Sequence, residues 1–594
     1  MRIFLILLLS SLLAGAQVPR WVIADFHDPR YSRALDGRVG VWSSRGRPAL
    51  SPSFSNRLFL YQSDLVDEGG RRGLASLTHP RVGAYSSLDP LYLEYAVLSA
   101  KLAGIDAFLI EDSQTPALAA MKPIAARHGF HVFAAFNNKR AQAKADPASR
   151  LAAFRLAAPA FYAELEAPTW PRLDGAPLVF AWATSIPLFD AMAAFDQALS
   201  PRPLYYYWSL LTGRMEGENP VFQSLATLQE WRQRRVGFQP WIPPRLRPRD
   251  AAHPDWDHHA TTADALAYLE HIRKEQAAEP GLYPYPMTVV TPGEDNRPCA
   301  GWGRTLHALG RDEGALLEGM WRFAVDHRDF FRIAFIATWN DYTESSGIEP
   351  TLERGLADLE STQRHARAFK GLPAVEPSLL ALPERLHQFR LARETFRRCG
   401  LEAADFEALL DQAAGQLGRG EGAPALATLA RAQSAKQALD ASLPPLRTAR
   451  LEAPGAGLEV VVHGSRRADA QSDQAWNTGD KLGLAVSEES CAAWRGAWHR
   501  AALSFEYLDE GEERFQVLCH SLRPDAESRV GGQYGIVADL YTTGTAVWKK
   551  ARIEIPAENA SWRHGLADHC DFSFAWKPVL VRRFRLDVEW RRGR

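Results

Sequence analysis

Cysteine is scarce, with five in 594 residues. Cys299, Cys399, Cys491, Cys519 and Cys570 form no C-x-x-C pair, which excludes a zinc ribbon and a thioredoxin-like redox motif. Neither sign of charge is in excess: the net charge is −1 with acids and bases well mixed. The basic stripe that a nucleic-acid partner requires is therefore missing. No H-E-x-x-H stretch and no glycine-rich phosphate loop of the P-loop type stands out, so no metal and no cofactor is expected, and a nucleotide-sugar donor lacks its phosphate site. Past the first sixteen residues, no run approaches the ~20 apolar residues that span a bilayer, so no integral membrane segment is expected.

What is present begins with Met1 to Ala16: one Arg, an unbroken Ile/Leu/Phe run, then Ala14-Gly15-Ala16. Those are the three regions of a cleavable signal peptide, with cleavage near Ala16, and they predict a secreted or periplasmic protein. The length exceeds what one core usually supports, so more than one domain is expected. Residues 17–370 read as a catalytic domain with a leader, 371–445 as a helical linker and 446–594 as a β-sandwich. The 18 Trp and 16 Tyr suit carbohydrate stacking, although most such rings serve cores.

From Arg81 onward, short apolar runs alternate with helical patterns. The expected strands are Arg81–Ser87, Ile105–Asp112, Phe130–Asn137, Ala176–Thr184, Leu204–Trp208, Val236–Trp241, Met287–Thr291 and Arg332–Ala337. Strands separated by helices imply a parallel sheet, and eight of them fit an α/β fold of the (β/α)8 TIM-barrel type. In such a fold the carboxyl ends of the strands share one face, and substrate binds there. The residues so placed are Tyr85, Glu111, Asp112, Asn137, Trp182, Tyr207, Trp241 and Asp295. The segment His253-Pro254-Asp255-Trp256-Asp257-His258-His259 gathers two acids, three His and a Trp, but without a metal-ligand spacing it reads as a surface loop near the cleft.

The last run ends in Thr338-Trp339-Asn340-Asp341-Tyr342-Thr343-Glu344, followed by Ile348-Glu349-Pro350. Asp341 and Glu344, three residues apart past a buried strand, form the carboxylate pair that glycosidic bond cleavage needs: one protonated acid and one ionised base or nucleophile. The same spacing fits the capping of a helix start. This stretch resembles the W-N-E-W-x-E-x-x-x-I-E-P signature of glycoside hydrolase family 99 and its relatives in family 71. Ala103-Gly104-Ile105-Asp106 and the loop from Thr291 to Arg304, with Trp302, are similar to further segments of that group. The resemblance implies a TIM barrel in which Asp341 is the base that deprotonates a sugar 2-hydroxyl and Glu344 the general acid. Trp339, Asn340, Glu349 and Trp302 would join the residues above in binding substrate. Asp341 stands where the family has Glu, one methylene shorter, and Tyr342-Thr343 replaces an aromatic-His pair.

Three Ala/Leu/Arg-rich helices follow, at Leu379–Cys399, Ala403–Leu417 and Ala423–Ala441, fit either to clamp the barrel or to act as a spacer. From Leu451, short alternating runs indicate a jelly-roll-like sandwich similar to carbohydrate-binding modules. The expected function is that of an exported glycoside hydrolase acting on a poly- or oligosaccharide, α-linked on the family resemblance. The alternative is a non-catalytic glycan-binding protein with a degenerate hydrolase barrel, which the Asp at 341 favours.

Overall fold

The computed structural model describes residues 20–28, 30–43, 61–111, 115–137, 146–182, 186–197, 199–208, 211–283, 285–299, 305–455, 457–462, 465–467, 474–480, 482–521, 523, 527–529, 532–557, 560–566 and 569–592. The expected signal peptide, Asp112 and Trp302 lie outside them, and so does the side chain of Asn137.

Strand and helix alternate from residue 21 to residue 370. The strands of the two parallel sheets are β1 (Trp21–Phe26), β2 (Ala107–Ile110), β3 (His131–Ala134), β4 (Phe136–Asn137), β5 (Ala176–Trp182), β6 (Leu204–Trp208), β7 (Gly237–Gln239), β8 (Met287–Val290) and β9 (Ile333–Ile336). Between and after them run α1 (Pro90–Leu102), α2 (Pro116–His128), α3 (Pro147–Glu164), α4 (Ile186–Asp196), α5 (Gln229–Gln233), α6 (Thr262–Ala278), α7 (Ala315–Asp326) and α8 (Ala357–Lys370). One parallel sheet has the order β8-β9-β1-β2-β3, and a second has β7-β6-β5-β4. Only Ala135 separates β3 from β4, so the two ladders follow one another along a single stretch. Strands β2, β8 and β9 are buried at every position, as parallel strands covered on both faces must be.

The helix boundaries follow local chemistry. Asp89 caps α1 by accepting from the Leu91 N–H, with Pro90 at the first helical position where its missing N–H costs nothing. Gly129 ends α2 at φ 59°, a left-handed conformation that a glycine adopts without strain. Thr261 and Asp264 form a reciprocal capping box at the start of α6.

One expected strand is corrected. Arg81–Ser87 is a loop, pinned where Arg81 N–H donates to Pro350 O, 3.1 Å, and Ser87 N–H to Arg30 O, 2.7 Å. The first strand is instead β1, inside the stretch read as a leader. It occupies the middle of its sheet, with Trp21 opposite Ile333 on one side and Ile23 opposite Ala107 on the other.

The three helices that follow are α9 (Leu382–Arg398), α10 (Ala404–Gly418) and α11 (Gly422–Ser442). Of the two roles open to them, the packing is that of a clamp. Leu386, Phe389, Phe406, Leu410, Leu417 and Leu429 belong to the same apolar cluster as the parallel strands. Buried Arg390 reaches Glu94 of α1 at 3.0 Å.

The C-terminal region is β-rich and has its own apolar cluster. One antiparallel sheet runs in the order Arg447–Ala453, Leu580–Arg591, Trp498–Leu508, Trp548–Ile555. A second contains Leu458–Val462, Leu482–Val486, Phe572–Trp576, Arg514–His520 and Gly532–Tyr541 in that order. Residues 61–72 bind along the edge of the first of these sheets: Leu65 bridges Ile553 of its edge strand Trp548–Ile555, and the Val66 N–H donates to Arg552 O at 2.9 Å. Pairing of this kind covers backbone that an edge strand would otherwise expose. Beside it, buried Asp64 accepts from Arg33 at 2.9 and 2.7 Å and from the Asp539 N–H at 3.0 Å. All five cysteines are buried.

Candidate active site

The loop after β9 folds back on itself at the carboxyl edge of the parallel sheet. Thr338 N–H donates to Ser346 O, 2.9 Å, and Glu349 N–H to Trp339 O, 2.8 Å. Gly347 permits the return: a Cβ there would stand 3.1 Å from Trp339 O and 3.2 Å from Asn340 Cα. The loop thereby presents Asp341 towards the end of β1.

Asp341 is 1% exposed. Its Oδ1 accepts from the Thr343 hydroxyl, 2.6 Å, and from the N–H groups of Thr343, 2.9 Å, and Glu344, 3.1 Å. Arg30 approaches the same oxygen at 3.5 Å, and His27 Nδ1 stands 3.2 Å from Oδ2. Burial alone would raise the Asp341 pKa, but His27, Arg30 and these donors outweigh it and hold the carboxyl below its ordinary range.

His27 is the hub. Its Nε2 lies 2.6 Å from Asp25 Oδ2 and 3.4 Å from Glu111 Oε1, so one imidazole is ringed by three carboxylates. Burial disfavours its charge, yet Asp341, Glu111 and Asp25 together lift it well above the usual histidine range. Asp25, wholly buried, is pushed up to about 6 by desolvation, against the lowering field of His27. The cluster therefore combines an anion held at Asp341 with a cation held at His27. Both His27 and Glu111 are half-buried rather than sealed, and so is Glu344.

A second layer fixes this one. Asn340 Oδ1 accepts from the His27 N–H at 2.7 Å, while its amide donates to Tyr85 Oη at 3.0 Å. The Tyr85 and Tyr342 hydroxyls each donate to Glu349 Oε2 at 2.9 Å, and the Tyr85 ring stacks on Tyr92 at 3.4 Å. Burial pushes the Glu349 carboxyl up to about 7 despite those two hydrogen bonds. Tyr85, Asn340 and Glu349, expected to touch substrate, are buried supports of the loop instead.

Other expectations divide similarly. Trp339 is fully buried, its ring 5.3 Å from Phe108, and so belongs to the core rather than to a sugar platform. Tyr207 stacks on Trp231 of α5 at 3.9 Å, on the helix-facing side of β6. Because side chains alternate along a strand, its neighbour Trp208 points the other way. Trp208 stacks on Trp182 at 3.9 Å, with Trp241 edge-on to Trp182 at 5.2 Å. Trp182 and Trp241 are thus brought together, with Trp208 as a third member. Asp295 is clasped by Arg297 at 2.7 Å, and its N–H donates to Glu344 O at 2.7 Å. Next to it, buried Glu294 pairs with Arg245 at 2.5 Å, and Arg245 and His307 hold its carboxyl low although burial opposes them.

Sequence reading missed Asp25, His27 and Arg30. The signal was the polar turn at the end of Val22-Ile23-Ala24-Asp25-Phe26-His27, the same apolar-to-polar change that marks Asp341.

The fold and site together define a class: an α/β protein that gathers carboxylates and tryptophans at the carboxyl ends of parallel strands. No family model matches the chain, and no curated protein matches it. Among solved structures it is similar to the GH99 endo-alpha-mannosidase from Bacteroides thetaiotaomicron, at 17% identity and a TM-score of 0.40 over 58% of this chain and 96% of that one. The same enzyme in complex with bis-tris propane gives 15% identity and 0.39 over 59% and 95%. A glycoside hydrolase-like protein gives 13% and 0.34 over 61% and 99%. Likeness at this level assigns neither an activity nor a residue.

Proposed function

We propose that the chain is an exported glycoside hydrolase that cleaves an α-linked poly- or oligosaccharide at the carboxyl edge of a (β/α)8 barrel formed by β1–β9. Asp341 is its ionised carboxylate and Glu344 its proton donor. The observation that carries the reading is the treatment of Asp341: a fully buried carboxyl surrounded by three donors, an arginine and a histidine, so that it keeps its charge at the working pH. A carboxylate held as an anion beside a second, half-buried acid is the division of labour that glycoside cleavage requires. Trp182 and Trp208, half-buried with buried Trp241 edge-on beside Trp182, supply apolar faces for sugar rings. The β-rich C-terminal region is read as an accessory sandwich.

The second reading, a glycan-binding protein without turnover, is favoured by one observation: Asp341 is 1% exposed and both its oxygens face protein groups. Incubating the purified chain with a panel of α-linked oligosaccharides, with product NMR and calorimetric binding in parallel, separates the two. Release of a reducing sugar supports the hydrolase; saturable binding with no product from any glycan leaves the binding protein.

A further inference from the structure

Far from the His27 cluster, the β-rich C-terminal region brings Cys491, His564 and Asp571 together, with ligand atoms that all lie within 4.8 Å of one another. Three separate pieces of chain supply them. Asp571 leads into the strand Phe572–Trp576 and is held to the strand Leu482–Val486, its N–H donating to Leu484 O at 3.0 Å. Ser487, just past that second strand, caps the short helix Glu488–Trp494, which carries Cys491. His564 comes from the chain between the strands Trp548–Ile555 and Phe572–Trp576, and its backbone is left-handed at φ 49°, a conformation that a histidine adopts at a cost. Arg495 ties that chain to the helix, donating to Trp562 O at 2.9 and 3.1 Å and reaching Glu488 at 3.2 Å.

The distances are those of ligands that share one ion. Cys491 Sγ stands 3.8 Å from each Asp571 oxygen. His564 Nδ1 stands 2.9 Å from Asp571 Oδ2, yet this buried nitrogen has no aligned hydrogen-bond partner among the described residues, so the oxygen lies off its axis. Donors about 2.0–2.3 Å from a tetrahedral ion are themselves about 3.3–3.8 Å apart, and the observed separations need little movement to reach that range. The surroundings add an independent sign. A metal-bound imidazole almost always turns its second nitrogen to a carboxylate, carbonyl or water, and a metal-bound carboxylate is itself hydrogen-bonded. His564 Nε2 faces Glu488 Oε2 at 3.1 Å. Asp571 Oδ1 accepts from the His564 N–H at 3.1 Å, and Oδ2 from the Val486 N–H at 3.0 Å. Cys491 and Asp571 are both buried.

We propose that Cys491, His564 and Asp571 form a structural site for a divalent transition metal of the zinc class. A thiolate, an imidazole and a carboxylate are a donor set for Zn²⁺, whereas Ca²⁺ and Mg²⁺ take oxygen ligands. The thiolate and the carboxylate together cancel the charge of the ion, so the buried site carries none in excess. A water molecule completes the tetrahedron. The ion fastens the chain around His564 and the short helix to the sheet, which is the work of a disulfide, and none of the five cysteines is in one. Cys491 and Asp571 are 80 positions apart, so no ligand spacing marks the site in the sequence. Such a fastening serves the hydrolase and the glycan-binding protein alike.

The test uses the full chain, stripped with chelator and titrated with Zn²⁺ against a chromophoric competitor. One equivalent is expected to bind. Cys491→Ser and His564→Gln should each weaken it by roughly a hundredfold or more, beyond the ~10–100-fold that loss of a supporting residue costs. Circular-dichroism spectra of the metal-free variants should match that of the parent and separate lost ligation from misfolding; if Cys491→Ser does not fold, His564→Gln decides. His569→Gln, an exposed position nearby in the chain, should bind as the parent does. Co²⁺ in place of Zn²⁺ should give the visible absorption of a four-coordinate ion together with the near-ultraviolet charge-transfer band that a thiolate ligand produces. No binding by the parent, parent-like binding by the folded His564→Gln, or a Co²⁺ spectrum without the thiolate band overturns the assignment.

Discussion

At the level of single residues, the proposed roles of Asp341 and Glu344 separate by leaving group. Glu344→Gln keeps the shape and removes the proton donor, so turnover of glycosides with poor leaving groups should fall by roughly 10²–10⁴. An activated aryl glycoside needs little protonation and should lose far less. Asp341→Asn should depress both substrates alike, because no leaving group replaces a missing anion. Steady-state kinetics on the two substrate types checks this, and an Asp341→Asn enzyme with full activity would remove Asp341 from the chemistry. Glu349 gives a prediction about stability. Its carboxyl, pushed up to about 7 by burial, binds a proton in the folded chain that the unfolded chain releases near pH 4.5. The contribution of Glu349 is therefore complete below pH 4.5 and is lost as pH rises through about 7. Denaturant melts of Glu349→Gln and the parent should diverge in favour of the variant by ~2 kcal/mol between pH 5 and pH 8. A constant difference across that range would mean the carboxyl titrates normally.

Among the elements, the sheet shows what sequence reading reaches and what it does not. Leu204–Trp208 was legible to the residue, because an apolar aromatic run between turn residues has few other readings. Arg81–Ser87 reads two ways, since Val82, Ala84 and Tyr85 with a glycine among them and two serines after them suit a strand end and a pinned loop equally. β1 was passed over because its six-residue run follows a longer apolar run, parted from it by no more than Gln17-Val18-Pro19-Arg20. The site suffers from the same limit. Asp341 and Glu344 announce themselves by spacing, whereas His27 becomes visible only once β1 lies beside β9. Trp208 was missed through the period-2 alternation, which sends Tyr207 to α5 and Trp208 to the face shared with Trp182. Trp208→Ala should cost about 1 kcal/mol of substrate binding, a rise in KM of roughly fivefold with little change in kcat. Tyr207→Ala should instead lower the melting temperature and leave KM unchanged.

For the whole molecule, residues 61–72 join the two apolar clusters through the Arg33–Asp64–Asp539 contacts. Arg33→Leu would leave Asp64 buried without its cation, a change that typically costs about 3–5 kcal/mol. Calorimetry should then show the C-terminal β-rich region melting ahead of the parallel-strand region, where the parent melts both together. A single unshifted transition would show that the two regions are held by other contacts.

The central position of β1 also has a consequence for how the chain is made. His27 and Asn340, whose backbone and side chain are bonded, are 313 positions apart. The strand synthesised first pairs early with β2 but waits for β9 until almost the whole sheet has been translated, so closure of the cleft is a late, long-range event, and topologies of this kind fold slowly. Nascent chains released between Asp326 and Asp341 would hold every helix up to α7 and yet leave His27 with Asp25 and Glu111 but without Asp341. The order of synthesis thus keeps the proposed chemistry unassembled until the last strand of the sheet arrives.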